Sequence, residues 1–145
     1  MNFENLVLLA DSNVEKTITI AKWFIRNNTK LKKVWVAYLN YKVDKNFAII
    51  LKDRIENVSG LIEVDYWVLR ENTNFMKINQ DIENKLKSTT GTFHLDYTGG
   101  NKMMAVGVHS AIKQYSEGAT FSILDENEYK LFFDDDYRHQ SEVLI

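Results

Sequence analysis

The sequence contains no cysteine and no proline among its 145 residues. Without cysteine the chain can form no disulfide bridge, no thiolate nucleophile and no cysteine–metal site. The lack of cysteine fits a reducing compartment, whereas we have no physical account of the missing proline.

Long apolar runs are also missing, because each run falls far short of the ~20 residues that a membrane-spanning helix needs. The N-terminus lacks a basic segment followed by an apolar stretch, which is the pattern of a signal peptide. We therefore expect a cytoplasmic protein that does not bind membranes. The formal net charge is −2, so no overall positive field attracts duplex nucleic acid. Any polyanion has to be held locally, by backbone N–H groups and a few cations.

Apolar residues make up 45% of the chain, and they recur in a regular alternation. Short apolar runs typical of strands covered on both faces alternate with segments of helical spacing. Four strand–helix units followed by two strands predict an α/β fold. It is Rossmann-like and doubly wound, with a mainly parallel six-stranded sheet and a C-terminal β-hairpin. The predicted strands are 5–10, 33–39, 61–69, 91–96, 120–124 and 129–133, and the predicted helices are 14–25, 47–58, 75–86 and 101–116.

The length and composition suit one domain and not two. We assign residues 1–134 to this domain. Residues 135–145 are more polar, and we interpret them as a tail or as the start of a linker.

Two polar loops follow the first and fourth predicted strands, at residues 10–13 and 96–102. In a doubly wound sheet, ligands bind beyond the carboxyl ends of the strands, where the strand order reverses. With the strand order 3-2-1-4-5, this point lies between the first and fourth strands. The sequence therefore predicts a binding site formed by these two loops.

The second of these loops suits a phosphate. Gly99 and Gly100 allow positive φ and a close approach to the backbone. The N–H groups at the start of the following helix attract anions, and Lys102 adds a full positive charge. The alternative is a tight turn whose glycines serve packing, with Lys102 in solvent.

The first loop offers the hydroxyl of Ser12 and the amide of Asn13 as donors, and Asp11 as a partner for a ribose. The alternative is that the same residues only cap the helix that follows. The two roles are compatible.

The fourth predicted helix has no formal charge between Lys102 and Lys113. A helix that is apolar nearly all round has to be covered on two sides. We therefore predict a homodimer, with helix residues 103–112 at or near the interface. The alternative is that a neighbouring helix of the same chain covers the second side.

The histidines do not predict a metal site. His94 falls in a strand, His109 in the apolar helix and His139 in the tail, and their spacing matches no metal-binding pattern. The sequence also lacks a G-x-G-x-x-G, a P-loop, a G-x-S-x-G and an H-E-x-x-H motif. We predict neither a cofactor nor a bound metal.

Residues 96–104 have the sequence D-Y-T-G-G-N-K-M-M, placed after a strand and opening a helix. This segment resembles the T-G-G-T-K-x-M signature of CARF domains, the CRISPR-associated Rossmann fold, and the order of elements resembles that family more loosely. Asn101 departs from the pattern, since the family usually has threonine there, so a hydroxyl contact is replaced by an amide or lost.

The resemblance implies a two-fold dimer that binds a cyclic oligoadenylate, the second messenger of type III CRISPR antiviral signalling. The second loop would hold phosphate and ribose, and the first loop would contact adenine and ribose. Cyclic tetra-adenylate is the first choice of ring from the family. A fused or separate effector, often a nuclease, is also implied. The implied ligand-binding residues are Ala10, Asp11, Ser12, Asn13, Thr98, Gly99, Gly100, Asn101, Lys102 and Met103.

Three functions remain open on the sequence. The first is a sensor that binds the cyclic oligoadenylate. The second is a slow, metal-independent ring nuclease, in which Ser12 orients the attacking 2′-hydroxyl and Lys102 stabilises the charge on phosphorus. The third is a generic Rossmann-like nucleotide-binding domain, although the first loop lacks the glycines typical of NAD and FAD sites.

Overall fold

The protein is described by a computed structural model that covers residues 2–70, 74–134 and 140–142. The strands are β1 (Asn5–Leu9), β2 (Lys33–Leu39), β3 (Glu63–Leu69), β4 (Phe93–Asp96), β5 (Thr120–Asp125), β6 (Lys130–Phe133) and β7 (Gln140–Glu142). The helices are α1 (Val14–Asn27), α2 (Lys42–Glu56), α3 (Phe75–Lys87) and α4 (Lys102–Tyr115).

The strands of the described chain form one sheet in the order β3-β2-β1-β4-β5-β6-β7. The first five strands are parallel, and β5 and β6 form an antiparallel hairpin. The predicted Rossmann-like α/β fold with its closing hairpin is therefore confirmed. The structure adds β7, which pairs antiparallel with β6 and falls in the segment interpreted as a polar tail. The division of the chain near residue 134 stays a prediction.

The continuous apolar sequence of β1 follows from its position in the centre of the sheet, where all five of its residues are buried. Leu6 and Leu8 pack in the core beneath α1 and α2. Val7 and Leu9 point to the opposite face and pack in the core beneath α3 and α4. Because successive strand residues alternate between faces, a strand covered on both sides is apolar on both. The exception is Asn5 at the start of β1, whose side-chain amide donates to the backbone oxygens of Thr90 and Thr92.

Asparagine side chains set the start of three helices. The side-chain oxygen of Asn13 accepts from the N–H of Lys16, so α1 is capped by Asn13 and not by the two residues before it. Asn74 accepts from the N–H of Lys77, and Asn101 accepts from the N–H of Met104. Each bond satisfies one backbone N–H that the helix itself cannot pair.

Helix α2 begins five residues before its predicted start at Phe47. Its first turns contribute little to the core, since Val43 is exposed, and they therefore carry no apolar periodicity that the sequence could display. Its C-terminal end, at Glu56, comes two residues before the predicted end at Val58. No helix in the described part of the chain is both long and apolar enough to cross a membrane.

Helix α4 packs along α3, which covers one of its two apolar sides within the monomer. The closest approach is at Gly107, where an added Cβ would lie 3.0 Å from both Cδ1 and Cγ2 of Ile78. On this side, a neighbouring helix of the same chain covers α4, which was the alternative to a homodimer interface. Met103 and Val106 remain exposed on the other side, at 42% and 56% of their surface.

We predict that Gly107→Val destabilises the protein, because its branched side chain would force α3 and α4 apart. Overpacking of this kind costs about 1–3 kcal/mol. Urea unfolding followed by circular dichroism measures the loss. Ser110→Val, the same β-branched residue on the exposed side of α4, is the control and should change stability by less than about 0.5 kcal/mol. Equal stability of the wild type and Gly107→Val would contradict the close packing of these helices.

Candidate functional site

The carboxyl ends of β1 and β4 meet at the point where the strand order reverses. An added Cβ on Gly99 would overlap with the backbone oxygen of Leu9 and lie 3.3 Å from Cβ of Asp11. Any side chain at this position would push the two loops apart. Gly99 is therefore required for packing, and its contact with β1 brings the two predicted loops together.

Gly100 has φ +73°, a conformation in which other residues are strained. Its missing side chain would approach Sδ of Met104 at 3.1 Å and Cβ of Leu9 at 3.4 Å. The positive φ turns the chain from β4 into α4 while Asn101 caps the helix. The tight turn is thus sufficient to explain why glycine occupies both positions. A phosphate contact with the N–H groups of Gly99 and Gly100 stays a prediction.

A cleft of about 250 Å³ opens between these loops and the end of β2. Five of the ten predicted ligand-binding residues line it: Ala10, Asp11, Ser12, Gly100 and Asn101. The remaining lining residues were not predicted from the sequence, and they are Tyr38, Leu39, Asp44, Phe47 and Met104. They come from β2, α2 and the first turn of α4, because a cleft is bounded by whichever elements the sheet order places beside it.

The other five predicted residues do not line this cleft. Asn13 and Gly99 serve the cap and the packing contact described above. The hydroxyl of Thr98 accepts from the N–H of Leu124 at 2.8 Å, which joins the loop to β5. Lys102 and Met103 are exposed at the start of α4, and Lys102 makes no hydrogen bond or ion pair with the described residues.

The first loop is held by charges that sequence patterns did not reveal. Ser12 donates to Asp11 at 3.2 Å, and the other carboxylate oxygen of Asp11 lies 3.6 Å from Nζ of Lys16. Lys16 is buried and also donates to Glu126 at 2.8 Å. Burial lowers the pKa of Lys16, but the hydrogen bond to Glu126 and the charge of Asp11 outweigh it and raise that pKa. Lys16 therefore stays charged beneath the loop.

A buried hydrogen-bond network lies below the second loop. The carboxyl of Asp96 accepts from the N–H of Thr98 at 3.0 Å and from the hydroxyl of Ser122 at 2.7 Å. Nε2 of His94 lies 2.8 Å from the hydroxyl of Ser122, and its Nδ1 lies 2.6 Å from the hydroxyl of Thr120. Since Ser122 gives its proton to Asp96, it accepts from Nε2, and Nδ1 accepts from Thr120.

Burial shifts the pKa of both the acidic and the basic member of this network. It lowers the pKa of His94 to about 3, so this imidazole is neutral at pH 7. It also raises the pKa of Asp96, against the opposing effect of the hydrogen bonds from Thr98 and Ser122. The network fixes the end of β4 against β5 and fixes the position of Thr98. His94, Asp96 and Ser122 are buried, and none of them is among the described residues that line the cleft.

His109 belongs to a different surface. Its Nε2 lies 2.9 Å from Asp134, whose carboxylate also accepts from the hydroxyl of Tyr97 at 2.8 Å. Burial, together with the hydrogen bond to Asp134, raises the pKa of Tyr97, so its hydroxyl remains a donor. His109 is thus a paired residue outside the cleft, and His139 lies outside the described residues.

The fold is similar to that of two solved proteins. Can2 from Sulfobacillus thermosulfidooxidans, solved in complex with cyclic tetra-adenylate, superposes with a TM-score of 0.75 at 12% identity, over 99% of this chain and 37% of that one. VC1899 from Vibrio cholerae superposes with a TM-score of 0.70 at 12% identity, over 96% of this chain and 35% of that one. The chain therefore spans little more than a third of the length of these proteins. No family model and no characterised protein matches the sequence.

The buried histidine predicts a specific dependence of stability on pH. A histidine takes up a proton near pH 6.5 in the unfolded chain, whereas His94 resists protonation down to about pH 3 in the folded protein. The neutral His94 therefore contributes fully to the free energy of unfolding above pH 6.5, and this contribution is lost as the pH falls from 6.5 towards 3. The loss amounts to about 1.4 kcal/mol per pH unit within that window.

We predict that His94→Gln, which has no titrating side chain, is less stable than the wild type at pH 7 and that this difference narrows towards pH 4. Asp96 and the other carboxyl groups titrate in both proteins, so the difference isolates His94. Urea titrations at half-unit pH steps measure it. A difference that stays constant between pH 7 and pH 4 would contradict the proposed protonation state.

Proposed function

We propose that this chain is a sensor domain that binds a cyclic oligoadenylate, with cyclic tetra-adenylate as the preferred ring, in type III CRISPR antiviral signalling. The observation that carries the proposal is the cleft at the reversal of strand order, where the loop around Ser12 meets the turn at Gly100 and Asn101. Support comes from the T-G-G-N-K segment that borders it. Further support is the similarity of the fold to that of Can2, which was solved with cyclic tetra-adenylate.

The chemistry of the cleft suits a nucleotide. Asp11 and Ser12 offer an acceptor and a hydroxyl to a ribose, and the start of α4 offers backbone N–H groups and a positive helix end to a phosphate. The exposed ammonium of Lys102 stands in that first turn. In this proposal it pairs with a phosphate at the rim, since the residue does not line the cleft itself.

The size of the cleft supports a ligand that extends beyond it. A volume of about 250 Å³ lies below the ~300–1,000 Å³ of pockets that enclose a complete small ligand. It suits one nucleotide unit of a larger molecule. A ring with two-fold symmetry would place equivalent units in two such clefts, one on each copy of the chain.

A homodimer through α4 is therefore part of the proposal. Met103 and Val106 in the first turns of α4 are exposed, and so are Phe75 and Met76 in the first turn of α3, at 54% and 71%. Because α3 and α4 are packed side by side and both begin at the carboxyl edge of the sheet, these four residues lie at one end of the helix pair. An exposed apolar cluster of this kind is typical of an interface.

Binding without cleavage is the form of the function that we favour over the ring nuclease. The hydroxyl of Ser12 is engaged with Asp11, and no histidine is among the described residues that line the cleft. A general base that could take a proton from a ribose hydroxyl is thus restricted to the carboxylates Asp11 and Asp44. An effector, fused to this domain or separate from it, would carry out the downstream step.

We predict that cyclic tetra-adenylate raises the melting temperature of the protein and that Lys102→Ala removes most of the rise. A ligand at 100 times its dissociation constant adds about 2.7 kcal/mol, which corresponds to roughly 5–10 °C for a domain of this size. Differential scanning fluorimetry with rings of three, four and six adenylates measures the shift. ATP and NAD serve as tests of a generic nucleotide site.

The matched control is Lys113→Ala, which removes an exposed lysine eleven residues further along the same helix, about 16 Å away along the helix axis. This variant should keep the full shift. Chromatography of the ring after long incubation without metal should recover it intact. The proposal is wrong if no ring shifts the melting temperature, or if ATP or NAD binds more tightly than every ring.

We predict a dimer mass for the free protein at micromolar concentration, and a shift towards the monomer in Val106→Glu. The buried charge should weaken association by at least about tenfold. Sedimentation equilibrium measures both. Ile50→Glu places the same charge at an exposed aliphatic residue of α2, on the opposite face of the sheet, and is the control. A wild-type mass that stays monomeric at all concentrations, with and without the ring, would rule out the dimer.

A further inference from the structure

One wall of the cleft comes from two elements that the signature segment does not include. Tyr38 and Leu39 stand at the end of β2, and Asp44 and Phe47 stand in the first two turns of α2. They line the same cleft as the loop around Ser12. This wall has its own chemistry, and it differs from that of the phosphate-binding turn.

The wall contains apolar side chains that suit a flat aromatic ring. Leu39 is buried, Phe47 is half-buried, and the thioether of Met104 borders the same space. Aromatic and thioether side chains pack well against the face of a nucleobase, and the interaction does not depend on which base is present. These residues provide a place for a base without selecting one.

Asp44 supplies a polar group in this apolar setting. Burial raises the pKa of its carboxyl, and the group makes no hydrogen bond or ion pair with any described residue. Its position in the first turn of α2 lets the helix dipole favour the negative charge, which explains why the carboxylate is tolerated. The helix dipole does not provide hydrogen bonds to the oxygens of the Asp44 carboxylate. A hydrogen-bond donor that enters the cleft would therefore stabilise this partly desolvated carboxylate further.

Tyr38 supplies a second polar group to the wall. The residue is only 5% exposed, and its ring packs edge-on against Tyr66 with the centroids 5.7 Å apart, which holds it in place. Burial raises the pKa of Tyr38, so its hydroxyl stays protonated. This hydroxyl has no hydrogen-bond partner in the described part of the chain, so it can donate to or accept from a ligand.

We infer that Asp44 and Tyr38 recognise the edge of a purine base that carries an exocyclic amine. Asp44 accepts a hydrogen bond from the amine, and Tyr38 donates to a neighbouring ring nitrogen. The inference rests on the proposed function and deepens it, because it assigns the choice of base to two residues outside the T-G-G-N-K segment. A base without the amine leaves the carboxylate unpaired in a partly desolvated position, and that penalty provides the selectivity.

The test combines two proteins with two ligands. Isothermal titration calorimetry compares the wild type and Asp44→Ala, each with cyclic tetra-adenylate and with the same ring built from unsubstituted purine, which lacks the amine. Loss of the amine should weaken binding to the wild type by roughly tenfold or more, since a hydrogen bond to a charged group is involved. In Asp44→Ala, loss of the amine should change affinity by less than about threefold. Tyr38→Phe should weaken binding of both rings.

Two further variants keep the test decisive. Asp53→Ala removes an exposed carboxylate from the same helix and should bind both rings as the wild type does. Asp44→Asn preserves the size of the side chain if Asp44→Ala unfolds, and it should show a reduced preference for the amine. If the wild type binds no ring of adenylates, the proposed function itself fails. A different outcome is that the wild type binds cyclic tetra-adenylate while the wild type and Asp44→Ala show the same preference for this ring over the purine ring. In that case only the present inference is overturned.

Discussion

The contact between Gly99 and the backbone of Leu9 is the constraint on which the cleft depends. It brings the end of β4 against the end of β1, so that two loops separated by more than 80 residues of sequence share one edge. Parallel strands permit this approach only where the chain reverses the order in which it adds strands. The glycine is required because a backbone oxygen occupies the place of its side chain. The structure explains this turn by its tight packing, and the phosphate recognition that we propose would use the same turn.

Polar groups buried beneath the cleft fix the shape of its rim. Asp96 binds the N–H of Thr98 from below, and Thr98 in turn binds the backbone of β5. On the other side, Lys16 joins Asp11 to Glu126. Each partner lies on a different element, so the rim is tied to β5, to the loop after β5 and to α1. A rim held in this way can present hydrogen-bonding groups to a ligand without first paying to order them.

Helix α4 shows how far an apolar composition can be interpreted. Its lack of charge predicts that two sides are covered, the second of them by another copy of the chain, and that dimer stays a prediction. The chain itself covers one of these sides through Ile78, and the exposed aliphatic and thioether side chains, Val106 and Met103, lie in the first two turns. The dimer that we propose would use this smaller surface together with the start of α3, so ligand binding and association would concern the same end of the helix pair.

The sequence by itself determined the order of elements, the doubly wound sheet and the two loops at its switch point, because apolar periodicity and turn residues are local signals. It also marked Gly99 and Gly100 as special positions. Only the tertiary structure decided which side chains face the cleft and which are consumed by caps and packing, as Asn13 and Thr98 are. Lys16, Tyr38 and Asp44 carried no local pattern, since their surroundings come from strands and loops far away in the chain. Contacts of that kind exist only after the sheet has assembled.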